Sequence, residues 1–546
     1  MRTSEFTFDQ VSKMTVPELF QHRVAETPDV LAVRSVQGNL TFGGWAAQAA
    51  SIAHLLLENL GDLHGERIAI WMTNDEATSY VSALQATFNV GGISVSLDDR
   101  ITVTEARRIF EECEPAALII GPQVAQRLGG DELAALGISG WNANGGKWSA
   151  AIAPLKGDGE AAPWLWISDP NSGATWDRRV AEPGDNALIA YTSGSSGTPK
   201  GAVWTQSAIC QYAERVANAT YAVPRNGKPL GETDVLQSPI PLYTAASLIE
   251  NIYPAVFAGC TLIFEGRRFD AEASGKRMAT FGTTVYNGVP PHFAKMCELP
   301  QRREGTAPEL MVTSGSAITP DLYRRMSARW PSTSIANWYG LNESGTGQTI
   351  NHGKEMDRYP GSVGRPLPPT EIRVVDGEFN DVDPGSEGVL LMRAPGQMHE
   401  YFRNPDQTAM RFHGDWLITG DRVTIDDTGL IHVVGRTEER INRGGFKFYP
   451  AEIEGILEEH EAVREAAVIA VAHPVLGQDA IAFVVASTSN VKIDEQALRA
   501  HCRAQVAPNK VPAKVIFVEA FPRSAYGKVI RRDLVALYEE QRQLSA

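Results

Sequence analysis

Apolar residues along the first part of the chain follow two alternating rhythms. Helical spacing, with an apolar residue every third or fourth position, runs through "VPELFQHRVAET" and "TSYVSALQATFNVGG", whereas "ERIAIWMT" and "AALIIG" are short apolar runs of strand character. Such alternation predicts a layered α/β sheet. From Trp141 to Gly184, Gly, Pro, Asn and Asp accumulate, which predicts a long surface excursion without elements of its own. The alternation resumes in "PAVFAGCTLIF" with "TTVYNGVPPHFAKMC", and in "LMVTSG" with "PDLYRRMSARW". In "GDRVTIDDTGLIHVVGRTEERINRGG" two short strands flank "DDTG" and lead into a charged segment.

The remainder predicts a compact unit: a helix from "PAEIEGILEEH" with Pro450 at its start, strands "AAVIAVAH" and "AIAFVVAS", helix "DEQALRAHCRAQV", strand "AKVIFVEA" and helix "RRDLVALYEEQRQL". The expected architecture is α/β: a large N-terminal domain of several subdomains with layered sheets at 1–435, a hinge at 436–439, and a small mobile α/β lid at 440–546.

A chain of 546 residues exceeds one ordinary core, in line with that division. The formal charge of -15 opposes a nucleic-acid partner, whose affinity would require clustered cations. The five cysteines are scattered without a CxxC pair, which points to reduced thiols rather than a disulfide framework or zinc site. "MRTSEFTFDQVSKM" lacks a secretory apolar core, and no run approaches the roughly 20 apolar residues of a membrane helix. The expectation is a cytoplasmic protein, monomeric or homodimeric, with no membrane partner.

"TSGSSGTPKG", Thr192 to Gly201, follows the apolar run "NALIAY". It is not the nucleotide loop GxxxxGK[ST], because Thr198 and Pro199 separate Gly197 from Lys200. Its chemistry still suits an anion: glycines permit close backbone approach, Thr192, Ser193, Ser195, Ser196 and Thr198 offer hydroxyls, and Lys200 adds a charge. Composition alone leaves a flexible linker equally open.

"YTSGSSGTPKGAV" resembles the phosphate-binding signature of the adenylate-forming superfamily, which includes acyl- and aryl-CoA ligases, nonribosomal adenylation domains and luciferases. Further segments resemble family motifs in family order: "TSGSA" at Thr313, "WYGLNES" at Trp338, "GDWLITGD" ending at Asp421, "GRTEERINRGGFKFYPAEIE" from Gly435 and "PRSAYGKVIRRDL" from Pro522. The resemblance spans nearly the whole chain. It implies that a carboxylic acid attacks the α-phosphate of ATP, releasing pyrophosphate, and that the acyl group then passes to CoA.

The resemblance also implies residue roles. Thr192, Ser193, Gly194, Ser195, Ser196, Gly197, Thr198 and Lys200 would hold the β- and γ-phosphates. Lys528 would meet the carboxylate and α-phosphate, with Asn342 beside them, and Glu343 would hold Mg²⁺. Tyr339 would stack on adenine next to Trp338 and Gly340, in a slot shaped by Gly315, Ser316 and Ala317. Asp421 would accept the ribose hydroxyls with Arg436 in support. Glu438 stands at the hinge position. Gly445, beside Gly444, matches a glycine of the pantetheine tunnel, and Arg440, Arg443 and Lys447 form a basic cluster suited to CoA phosphates. Tyr243, Leu248, Tyr286, Ser314, Gly340, Gly345 and Thr346 would line the acyl pocket. With "PLYTAASLIEN" mostly apolar, a bulky hydrophobic or aryl acid is expected rather than an amino acid.

Four positions depart from the family pattern: Asn342 where Thr is usual, Tyr243 in place of an aromatic-His pair, Val389 where an acid is common and Tyr526 where a small residue is frequent. Asn342 keeps an alternative open, a partial-reaction enzyme that only transfers a supplied acyl-adenylate to CoA. Adenylation with delivery to a carrier protein is a second alternative, and a non-catalytic acyl-adenylate-binding protein a remote third.

Overall fold

The computed structural model describes residues 8–136, 138, 150–154, 165–167, 174–192, 200–300, 307–316, 318–444, 446–487, 494–524 and 528–544. The chain divides into two compact units: residues 1–358 with 366–371 and 393–417, and residues 359–365 with 372–392 and 418–546.

The first unit is built on two sheets. One runs, in spatial order, Glu400–Tyr401, Lys200–Thr205, Asn186–Thr192, Ile93–Ser96, Arg67–Trp71, Ala117–Ile120, Ala150–Pro154 and Leu165–Ile167. Its central pairings are parallel. Helices cover a parallel sheet on both faces, so Ala117–Ile120 is buried at every position and reads as one apolar run rather than an alternation. The other sheet orders Gly345–His352, Ser334–Leu341, Leu310–Thr313, Val285–Gly288, Val235–Ser238, Thr261–Phe264, Leu31–Arg34 and Asn39–Thr41. Helix starts follow capping chemistry. Thr15 caps Val16–Glu26 and Thr102 caps Val103–Cys113, each closed reciprocally by a Glu three residues on.

The excursion expected between Trp141 and Gly184 contains two elements after all. Ala150–Pro154 pairs antiparallel with Ala117–Ile120, and Leu165–Ile167 pairs with Ala150–Pro154. Strands of five and three residues carry too few alternations to stand out among turn residues. All five thiols are unbridged, and four are buried.

The second unit contains a sheet of Glu371–Val375, Gly388–Arg393, Trp416–Ile425 and Ile431–Arg436. It also contains the compact terminal fold expected from the sequence. There Gly477–Ala486 lies between Val463–His473 and Ile441–Arg443, and Lys514–Phe517 adds to it in parallel. Val463–His473 is buried on both faces. Ala466 and Val468 join a core with Ile453, Leu457 and Leu498 of the helices Pro450–Glu458 and Glu495–Gln505, while Ala467, Ile469 and Val471 pack with Phe483 and Leu534 of the helix Arg531–Leu544. Among the described residues no helix is long and apolar enough to cross a membrane.

Phe483 is fully buried in the second of these cores. Phe483→Ala is expected to destabilise this domain by about 3–5 kcal/mol, the range for emptying a buried aromatic site. Urea unfolding followed by circular dichroism measures the shift.

Candidate active site

In the first unit, the paired strands Asn186–Thr192 and Lys200–Thr205 and the turn after Trp338 meet through a third segment. Lys200 begins the strand Lys200–Thr205, which pairs with the edge strand Glu400–Tyr401. That pairing carries Tyr401 over Glu343, and the Tyr401 hydroxyl donates to Glu343 Oε1 at 2.6 Å. Arg411 donates to the same oxygen at 3.2 Å. Lys200 Nζ donates to Gln407 at 2.5 Å and lies 5.6 Å from the centre of the Tyr401 ring. Glu343 is only 8% exposed, and these donors satisfy an oxygen that burial takes away from water. Sequence reasoning missed Tyr401, Gln407 and Arg411. Their signal was a Tyr, a Gln and an Arg on one short segment upstream of "TGD", with nothing local to mark them.

Lys200 and Glu343 are thus joined through Tyr401. Thr192 ends the strand Asn186–Thr192, and Ser193 to Thr198 lie outside the described residues, as does Ala317. Asn342 is half-buried in the turn between the strands Ser334–Leu341 and Gly345–His352. The Ser344 hydroxyl anchors that turn by accepting from the Leu341 amide at 3.0 Å. Gly345 has φ +73, and a Cβ there would stand 2.5 Å from the Tyr212 ring and 3.1 Å from Trp204. Backbone geometry and space both demand glycine. Trp338 is buried, while Tyr339 and Gly340 are half-buried at the end of their strand. Gly315 takes φ +78 immediately after buried Ser314.

Among the described residues no group of three or more His, Cys, Asp or Glu gathers into a metal cage. Mg²⁺ needs none, since one carboxylate plus substrate phosphates commonly holds it. Glu343 fits that use, because among the described residues both of its side-chain bonds fall on Oε1.

The expected acyl-pocket residues do not share one face. Tyr243 is half-buried, and its hydroxyl accepts from Arg100 at 2.8 Å. Leu248 is buried in the wide helical turn Ser247–Ile252. Thr346 lies in the strand Gly345–His352. Tyr286 differs from expectation: its hydroxyl pairs with Ser274 at 2.9 Å and its ring packs on Phe293, in the core between the sheet and the covering helices. Strand alternation turns its neighbour Asn287 to the opposite face, where Asn287 donates to Glu250 at 3.0 Å. Glu250 is fully buried, and burial raises its pKa to about 8.

In the second unit, Asp421 and Arg436 face each other across paired strands, with Arg436 Nε 3.0 Å from Asp421 Oδ1. Asp421 is 3% exposed. Glu438 is exposed in the short turn Thr437–Glu439. The guanidinium of Arg443 is engaged internally, by Asp479 at 2.8 Å and by the carbonyls of Asn509 and Val511. That is a correction to its expected exposure to CoA phosphates. Lys447 instead lines a cavity of about 350 Å³ with Arg440, Arg422 and Lys510 and with the acids Glu387 and Glu452 that pair with the last two. Gly444 takes φ +62, and Gly445 lies outside the described residues. Lys528 is exposed, and its carbonyl accepts from the Ser524 amide at 2.8 Å.

A raised carboxyl pKa gives a testable linkage. The buried Glu250 carboxyl resists ionisation that the unfolded chain allows, so its contribution to stability is lost as pH rises from the ordinary carboxylate value to about 8 and is then constant. Glu250→Gln lacks that loss, so its melting temperature relative to the parent protein is expected to be higher at pH 8.5 than at pH 5. Thermal denaturation at both pH values measures it.

The chain matches the AMP-binding enzyme family over residues 20–402 and the AMP-binding enzyme C-terminal domain over residues 452–528. It is 28% identical over 525 residues to the indoleacetate–CoA ligase of Aromatoleum aromaticum, covering 95% of this chain and 98% of that protein. It is 27% identical over 547 residues to a long-chain-fatty-acid–CoA ligase of Escherichia coli O157:H7, covering 95% and 93%. The structure of ATP-bound MatB from Rhodopseudomonas palustris superposes with a TM-score of 0.80 at 27% identity, over 96% of this chain and 99% of that one. With matched domains spanning most of its length, the chain belongs to the AMP-binding enzymes, the adenylate-forming superfamily, in its acyl- and aryl-CoA ligase branch.

Proposed function

We propose that this enzyme is an acid:CoA ligase that activates a bulky hydrophobic or aryl carboxylic acid. The observation that carries this reading is the linked set Lys200, Gln407, Tyr401, Glu343 and Arg411, which joins a phosphate-facing cation to a buried carboxylate in one unit. The name of one relative, an indoleacetate–CoA ligase, supports an aryl acid.

In the first half-reaction a substrate carboxylate oxygen attacks the α-phosphorus of ATP, the bond to the bridging oxygen breaks, and pyrophosphate leaves an acyl-AMP. Both reactants are anionic, so the work of the protein is positioning and charge neutralisation. The loop from Thr192 to Lys200 grips the β- and γ-phosphates. Arg411 and Tyr401 hold Glu343 Oε1, which orients Oε2 towards a cation. Bound Mg²⁺ supplies charge neutralisation on the phosphates. Tyr339 stacks on adenine in the slot made by Gly315, Ser316, Ala317, Trp338 and Gly340. Asp421, held by Arg436, accepts the ribose hydroxyls. Lys528 meets the developing charge at the α-phosphate.

In the second half-reaction the lid, residues 440–546, turns about Glu438. The CoA sulfur attacks the acyl carbon and AMP departs. Gly444 and Gly445 leave room for pantetheine, and Lys447 faces its phosphates.

Lys528→Ala is expected to lower acid-dependent pyrophosphate exchange by about 10²–10³-fold, the scale of removing one charge-stabilising donor. Thioester formation from supplied acyl-AMP should persist. Glu343→Gln should depress exchange and raise the Mg²⁺ concentration needed for half-maximal rate. A panel of carboxylic acids, run with and without CoA and read separately for pyrophosphate and acyl-CoA, tests the whole reading.

Asn342 motivates a second reading, in which adenylation is impaired and the enzyme performs thioesterification alone. Full pyrophosphate exchange with a cognate acid would exclude it. Exchange without CoA consumption would instead favour delivery to a carrier protein.

A further inference from the structure

Two helices of the first unit widen for one turn close to the sheet face that carries Asn287. At Val216–Thr220 the Tyr221 amide donates to the Val216 carbonyl, and at Ser247–Ile252 the Tyr253 amide donates to Leu248, each reaching five residues back. Such widened turns gather at functional sites. Here they frame a buried polar cluster. The Asn287 amide donates to Glu250 Oε2 and to Asn251 Oδ1, both at 3.0 Å, and the Tyr221 hydroxyl donates to the Glu250 carbonyl at 3.0 Å.

The Asn287 amide also reaches the Tyr221 hydroxyl at 3.4 Å, and the bonding stops there. Glu250 Oε1, Asn251 Nδ2, Asn287 Oδ1, Ser247 Oγ, Thr220 Oγ1 and Trp338 Nε1 are all buried with no protein partner among the described residues. Protein interiors satisfy most such groups, and each one left unpaired is destabilising. Six around two adjoining turns exceed what packing explains. Among the described residues no cation pairs with Glu250, and only the Asn287 amide favours its ionised form. Few convergent polar groups set in apolar walls are how small-molecule sites obtain specificity.

The cluster adjoins the nucleotide end of the unit. Glu250 shares its turn with Leu248, the Tyr221 ring lies 4.9 Å from that of Trp338, and Trp338 directly precedes Tyr339. We propose that this cluster is the inner wall of the acid site, and that Glu250, with Asn251 and Asn287, recognises an N–H or O–H donor on the substrate. The preferred acids then carry an amino or hydroxyl substituent rather than a plain hydrocarbon body. This rests on the acid-activating reading and refines its substrate class. A site built to bond a polar substituent discriminates strongly against the analogue that lacks it, because its own buried groups then stay unpaired.

Matched aryl acids test it: unsubstituted, amino-substituted and hydroxy-substituted members of one series, assayed for pyrophosphate release and acyl-CoA formation. The parent enzyme is expected to favour a substituted member by about 10- to 100-fold in kcat/KM, one to two buried hydrogen bonds' worth. Glu250→Leu should abolish that preference and improve relative use of the unsubstituted acid. Glu250→Gln should spare the hydroxyl arm more than the amino arm. Equal use of substituted and unsubstituted acids by the parent enzyme overturns the proposal, and so does a preference that survives both substitutions. Should Glu250→Leu fail to fold, the parent enzyme's ranking and Glu250→Gln still decide. If no acid at all releases pyrophosphate, the acid-activating reading falls and this inference falls with it.

Discussion

The hydrogen bond from Tyr401 to Glu343 is the constraint around which the first unit's chemistry is arranged. A carboxyl as enclosed as Glu343 has lost most of its water, and protein donors take the water's place. Tyr401 reaches it because a two-residue edge strand pairs with the strand that Lys200 begins. Sheet register, not sequence proximity, therefore sets the spacing between Lys200 and the acid. Arg411, arriving from the short helix Pro405–Arg411, completes the balance with a positive charge on the same oxygen. Acid and counter-charge thus share one oxygen through Tyr401 and Arg411, with Lys200 beside the Tyr401 ring and bonded to Gln407 of the same segment.

The layered α/β class and the terminal fold were legible because their signals are local. Pro450 opens a helix, and the runs in "AAVIAVAH" and "AIAFVVAS" are long enough to be strands whichever face they bury. The strands at Ala150–Pro154 and Leu165–Ile167 were not legible, since each borrows its stability from pairing with a neighbour rather than from its own pattern. The site divides in the same way. Lys200, Glu343, Asp421 and Arg436 stand in motifs that a sequence displays. Tyr401, Gln407 and Arg411 acquire meaning only through pairing between distant segments. Tyr286 and Asn287 show the sharpest limit, because one residue of register decides which faces the core and which faces Glu250.

Glu250 also revises the view of the segment "PLYTAASLIEN". As a string it is apolar with one acid that could as well face solvent. In the fold that acid is sealed at the centre of the unit, with Asn251 and Asn287 against it. An apolar average conceals a single polar residue, and where burial makes ionisation costly a single residue can set the chemistry of a wall.

Gly345 bears on how this enzyme can change. Because Tyr212 and Trp204 occupy the space a side chain would need, no substitution at Gly345 is tolerable while both rings remain. The order of steps along any evolutionary or engineered path is thereby constrained: an aromatic ring beneath the turn must shrink first, and even then the left-handed backbone favours glycine. The turn that presents Glu343 is in this sense locked by the two rings packed beneath it.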